Sequence, residues 1–177
     1  MQRFEVMIAS RIVQLANIII CANLNGMSNI SRHIADLMTT AWVGSLWAVG
    51  YLAVPVLFSA QTDRQLAGML AGQMFTLVAY VGMVCGGFLL IQRISRFGQT
   101  AFRQALFWVV ASMLLLTLVI QFGIQPIMTD LKAQALPLDV MHSAQADRFK
   151  MLHGVSSIIY LTQSLLGVFL AIKTRQT

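Results

Sequence analysis

Three histidines, two cysteines and eleven methionines are the side chains of this sequence that could hold a metal or haem. Imidazole with thioether suits copper, and imidazole inside a helical bundle suits haem. The spacing argues against both. His33, His142 and His153 share no helical turn, and Cys21 and Cys85 stand in apolar stretches with no CxxC pattern and no nearby histidine. The methionines are ordinary in a chain that is 58% hydrophobic. The two thiols read as small buried hydrophobes, and isolated ligands without ligand spacing are weak support for a metal centre. Walker A, GxGxxG, HExxH and GxSxG patterns are all absent, which removes the commonest ATP-driven and hydrolytic chemistries. The expectation is a protein that is not an enzyme and takes no cofactor, with a haem- or metal-binding membrane redox protein as the alternative.

One constellation remains. His153 opens an apolar segment with Ser156 one turn on, while Tyr51 and Pro55 lie in another apolar segment that runs out into Asp63 and Arg64. A titratable imidazole, a bend and an acid-base pair meeting at a membrane boundary are what a binding cleft needs. The competing structural role for His153 is to cap the bundle by hydrogen-bonding a neighbouring helix.

These residues must be positioned by elements that the composition defines. Only 10% of residues are charged, against roughly 25% in ordinary soluble domains. Four windows carry no charge: Leu37 to Thr62, Gln65 to Gln92, Gln104 to Thr129 and Met151 to Ile172. Each exceeds the roughly 20 residues a helix needs to cross a hydrocarbon core. Backbone groups in lipid must be satisfied internally, and strands of alternating polarity are absent, so helices follow. The fold class expected is all-α, an integral membrane four-helix bundle, with spans near 37–60, 66–92, 104–126 and 151–172.

The formal charge of +6 is confined to span ends and forms no basic stripe with interleaved aromatics, which excludes nucleic acid as a partner. Eight Lys and Arg fall on the side of the chain termini and four on the other. The positive-inside rule then puts both termini in the cytoplasm and the protein in a bacterial inner membrane. No span has a charge near its middle, which argues against an ion-coupled pump with a membrane-centre carboxylate.

Residues 1–26 stand apart from the four-span domain, 27–177. Their apolar run IVQLANIIICANL is short for a span and reads as an interfacial helix. A non-native start ahead of Met27 is the alternative.

Packing inside lipid depends on close approach and on interhelical hydrogen bonds. Gly68, Gly72, Ala79, Gly82 and Gly86 fall on one face of the second span and form a small-residue groove, so enlarging Gly72 or Gly82 is expected to force helices apart. On the fourth span His153, Ser157, Tyr160, Ser164 and Gly167 share a face, with Ser156 and Gln163 at its margin. Pro55 removes a helical hydrogen bond and should bend the first span near Tyr51, splaying the bundle where Pro55, Asp63, Arg64 and His153 gather. Asp130 to Lys150 reads as an outer loop with a short amphipathic helix around LDVMHSAQADRF. Trp42 and Trp47 in the first span and Trp108 in the third serve interfacial anchoring or core packing.

The stretch WVGSLWAVGYLAVPVLFS, followed by AGMLAGQMF and later by FKMLHGVSSIIYL, resembles the bacterial four-helix family known as domain of unknown function 4149. That family is similar to the eukaryotic transmembrane protein 205 group. The resemblance covers most of residues 34–173. It is carried by Pro55 to Phe58, by the Ala-Gly entry to the second span with Phe75, and by His153 to Ser156. It implies an asparagine in the fourth span where this chain has Tyr160. The bacterial family has no settled activity. The eukaryotic group is linked to resistance to a platinum drug, which implies transport or trafficking. A weaker likeness joins WVGSLW and the later histidine to haem or copper proteins of the copper-resistance and protoporphyrinogen-oxidase type, which carry a first-span histidine that this chain lacks after His33.

The sequence thus points to a transport, stress-related or assembly factor whose partners are membrane lipids and a second copy or another membrane protein. A structural subunit of a larger complex, with the second-span groove as its interface, is the further alternative.

Overall fold

The computed structural model describes residues 30–135 and 140–174. Among these, four helices are long and apolar enough to cross a membrane: α1 (Ile30–Ala60), α2 (Arg64–Phe97), α3 (Ala105–Ala135) and α4 (Ala146–Thr174). Short 3₁₀ turns fill Gly98–Arg103 and Val140–His142, and the described residues contain no strand. The extension 1–26 lies outside the described residues. The chain divides by its contacts into Met1–Leu37 and Met38–Thr177, of which the first contributes the described helical residues 30–37. The packing below concerns the second unit.

Apolar side chains are distributed as lipid requires. Along α2 the inward stripe is small, including Ala67, Ala71, Ala79, Gly82 and Gly86, whereas Leu77, Val84 and Ile91 point outward and are exposed. Water would reverse that arrangement; lipid imposes no penalty on outward leucine and rewards close inward contact.

The helices run up, down, up and down, each against the next. Trp42 of α1 lies over Gly82 and Gly86 of α2, and Leu114 of α3 also approaches Gly86. Gln163 of α4 hydrogen-bonds Met113 of α3, and Gly167 of α4 packs on Val43 of α1. The end of the bundle holding the 98–103 turn is called proximal here, and the end holding the 61–63 connection distal.

Local chemistry sets the helix ends. The Asp63 carboxylate accepts from the Gln65 and Leu66 amides at 2.9 and 3.1 Å, satisfying two orphan donors at the start of α2. At the other end Gly98 takes φ +55°, a conformation that favours glycine, and stops the helix. Arg93 then ties α2 to the next helix by donating to the Gln104 side chain at 2.6 Å.

Two helices contain a π turn, and each π turn ends two residues before a proline. In α1 it covers Ala48–Ala53, ahead of Pro55; in α3 it covers Val119–Ile124, ahead of Pro126. Proline cannot donate to the helical ladder and its ring crowds the carbonyl four residues earlier, so the backbone widens by one residue just upstream. Where a bend was expected near Tyr51 the structure has a π turn that contains Tyr51.

The connection 130–150 is shorter than the sequence suggested. Residues 130–135 continue α3, and α4 already begins at Ala146. The reason is a local apolar cluster: Leu131 and Ala135 pack with Val140, and Phe149 and Leu152 close over them. The charges there ended the uncharged windows without ending the helices.

Candidate intramembrane binding chamber

Two adjoining cavities occupy the distal half of the bundle. The deeper one, of about 370 Å³, touches all four helices, and Trp42 is its most proximal wall residue. Trp42 is 1% exposed and Met113 fully buried, so the interior closes there. Among the described wall residues of this deeper chamber there is no Asp, Glu, Lys or Arg. The second chamber, of about 300 Å³, lies nearer the distal end, and Arg64 and Lys132 line it. The two share Val54, Phe75, Gln125, Met128 and His153 as walls.

Tyr160 organises the deeper chamber. Its hydroxyl donates to the Leu46 carbonyl of α1 at 2.6 Å, at the approach to the π turn, where the regular ladder is interrupted. Its ring fills the space above Gly50, where a Cβ would collide with the phenol. Phe75 meets the Tyr160 ring edge-on at 5.2 Å, and Tyr51 joins from α1 at 6.4 Å. The aromatic wall therefore spans α1, α2 and α4.

Amides and hydroxyls complete the wall. Gln163 is 3% exposed and donates to the Met113 carbonyl at 2.9 Å and to the Thr117 hydroxyl. In lipid such a group has no other solvent than the bundle. Gln125 reaches from α3 to the Gly72 carbonyl at 3.4 Å, and Lys132, two turns further, donates to the Gly68 carbonyl at 3.1 Å. A Cβ at either glycine would meet the α3 residue's nitrogen only at ordinary contact, 3.9 Å at Gly68 and 3.6 Å at Gly72. The Lys132 ammonium also stands 5.6 Å from the centre of the Phe149 ring, and Phe149 stacks on His153 at 6.1 Å.

Of the residues singled out by sequence, the structure brings Tyr51, Ser156 and His153 to the deeper chamber, and Arg64 and again His153 to the distal one. Pro55 is exposed and acts through the π turn it causes, and Asp63 is the cap of α2 rather than a wall of either chamber. The His153 side chain makes no hydrogen bond among the described residues; it stacks on Phe149, which differs from a hydrogen-bonded cap. The small-residue face serves two purposes. Gly82 and Gly86 receive Trp42, Ala79 lines the deeper chamber, and Gly68 and Gly72 line the distal one. Gln125, Thr117 and Lys132 were missed by sequence reasoning, although polar groups within or beside an apolar window were a signal for all three. Among the described residues no three His, Cys, Asp or Glu side chains converge as a metal site.

The profile of a family described as a domain of unknown function, DUF4149, matches residues 37–137. The chain belongs to that family. The DUF4149 match covers α1 from Leu37 through the end of α3, so it includes both π turns and the tryptophan seal. No curated protein and no solved structure matches this DUF4149 chain.

Proposed function

We propose that this protein is a non-enzymatic membrane carrier or binding protein that receives a small, largely apolar ligand in the deeper chamber. One observation carries the reading: a cavity whose described walls hold aromatic rings, amides and hydroxyls and no Asp, Glu, Lys or Arg, adjoining the distal chamber and ending proximally at Trp42. Its volume falls within the range of about 300 to 1,000 Å³ typical of ligand pockets, and its few polar groups among apolar walls are what such pockets use to orient a ligand. The π turns give it room, since both widened segments border the chamber through Gly50 and Ile120. Counted along the sequence, the excess of Lys and Arg on the side of the chain termini, eight against four, supports an inner-membrane protein with both termini cytoplasmic.

Thiol accessibility tests access and orientation together. In a chain with Cys21 and Cys85 replaced by serine, Ser157→Cys should react with a charged, membrane-impermeant thiosulfonate applied to intact cells. Leu165→Cys, outward on the same helix, should not. Equal protection of both positions would remove the chamber as an open site. Reaction of Ser157→Cys only from the cytoplasmic side would reverse the orientation.

A further inference from the structure

The side-chain donors buried at the inner end of the deeper chamber are committed within the protein or covered, whereas one acceptor there is not. We infer that this end takes a neutral molecule with a hydroxyl or N–H on an apolar body, and that the ligand donates its proton to the side-chain oxygen of Gln163. This assignment rests on the chamber reading above and adds to it the chemistry of the occupant.

Gln163 fixes the polarity of the site. It is 3% exposed and lines the chamber. Its amide nitrogen carries two hydrogens, which go to the Met113 carbonyl at 2.9 Å and to the Thr117 hydroxyl. The amide cannot be turned round: a backbone carbonyl only accepts, so the nitrogen must face Met113. Thr117 gives its own proton to the same carbonyl at 2.9 Å, which leaves its hydroxyl an acceptor for Gln163. The amide oxygen accepts no hydrogen bond among the described residues.

The neighbouring donors are spent in the same way. Tyr160 gives its phenolic proton to the Leu46 carbonyl at 2.6 Å, and Ser156 donates to the Leu152 carbonyl at 2.9 Å. The Trp42 nitrogen is covered by Gly82, where a Cβ would stand 2.5 Å from it. The wall donors left over belong to Tyr51 and His153, which are exposed, and to one amide hydrogen of the half-buried Gln125.

Charge decides against an ion at this depth. An anion would meet the Gln163 oxygen without any Lys or Arg among the described walls, and an ammonium would find no carboxylate. A charge left unpaired inside the bundle costs more than a neutral hydrogen bond returns. A neutral donor avoids that cost and satisfies an oxygen that otherwise has only water to accept from. Its apolar body meets Phe75, which stands edge-on to Tyr160 at 5.2 Å, together with Val78 and Ile120.

Trp42 supplies the readout. In a chain carrying Trp47→Phe and Trp108→Phe it is the one tryptophan left, and in nanodiscs of zwitterionic lipid its fluorescence reports the inner end of the chamber. Brominated probes of similar size separate the roles of the polar atom: 4-bromophenol donates and accepts, 4-bromoanisole only accepts, and 4-bromotoluene does neither. Compared at equal concentration in the bilayer, 4-bromophenol should quench Trp42 saturably, and p-cresol should reverse the quenching. The other two should reach half-saturation only at about tenfold higher concentration or more, as loss of a hydrogen bond to a buried acceptor requires. Gln163→Met should abolish the preference for the phenol, and a preference retained in that variant would overturn Gln163 as the acceptor. Should Gln163→Met fail to fold, the three probes on the parent chain decide alone. Equal half-saturation by phenol and anisole, whether or not the toluene binds as well, would overturn the donor assignment while leaving the chamber standing. Absence of saturable quenching by all three would overturn the chamber reading with it.

Discussion

Gly82→Ala and Gly72→Ala, ten residues apart on one face of α2, should change stability in opposite directions. A Cβ added at Gly82 would lie 2.5 Å from Trp42 Nε1 and 3.1 Å from Cε2, whereas one added at Gly72 would meet only the Gln125 amide nitrogen at an ordinary 3.6 Å. Trp42 is buried to 1% exposure and also presses on Gly86, where a Cβ would lie 2.9 Å from its ring, so a shift of the indole along α2 brings no relief. Overpacking of this kind costs about 1 to 3 kcal/mol, while replacing a helical glycine by alanine returns up to about 1 kcal/mol. Gly82→Ala should therefore lose about 1 to 2 kcal/mol net, and Gly72→Ala should be neutral or gain up to about 1 kcal/mol. Reversible unfolding in mixed micelles measures both. The cycle with Trp42→Phe isolates the cause, because the smaller ring should relieve Gly82→Ala and give a coupling of about 1 kcal/mol or more. Equal stability of the two alanine variants, or additivity within about 0.5 kcal/mol in the cycle, would refute the indole contact as the reason for glycine at this position.

Tyr160→Phe keeps the ring against Phe75 but leaves the Leu46 carbonyl without its phenol donor, and should lower stability by about 1 to 3 kcal/mol in the same unfolding assay; an unchanged transition would mean that the ladder of α1 satisfies that carbonyl unaided. His153→Gln and His153→Ala should both stay within about 0.5 kcal/mol of wild type, as exposed substitutions do, because the imidazole stacks without a hydrogen bond among the described residues. Loss of stability in the alanine variant alone would instead reveal a hydrogen-bonded capping role.

Much of the fold follows from charge-free windows, and the inward face of α2 from the spacing of its small residues. The disturbance at Pro55 was also legible, since the cost of a missing amide is local. Pro126 obeys the same rule and was passed over because it stands near the end of an apolar window, where a hydropathy reading expects the helix to stop. Lys132 was counted as a loop charge for the same reason, yet Leu131 and Ala135 pack on Phe149 and Leu152 and carry α3 past it. That extension brings an ammonium into the chamber. The rotation of α4 was legible only to within part of a turn. A helical wheel groups His153, Ser157, Tyr160, Ser164 and Gly167, with Ser156 and Gln163 at the margin; His153, Ser157 and Tyr160 line the chamber together with both marginal residues, while Ser164 and Gly167 are buried without lining it. Such rotations are set by tertiary contacts that no single helix contains.

The position of the tryptophan seal also determines where an electrical potential would fall. Wherever water fills the two chambers it extends the conducting phase from the distal surface down to the level of Trp42, while the proximal half remains packed around Val110, Cys85 and Leu89. The voltage across the bilayer is then concentrated over that remaining thickness rather than spread over the whole helix length. A charge at the chamber floor would sit at nearly the distal potential, and moving it past Trp42 would involve almost the full drop, about 2.3 kcal/mol per elementary charge for each 100 mV. The indole and its two glycines would thus act as the thin dielectric of a capacitor.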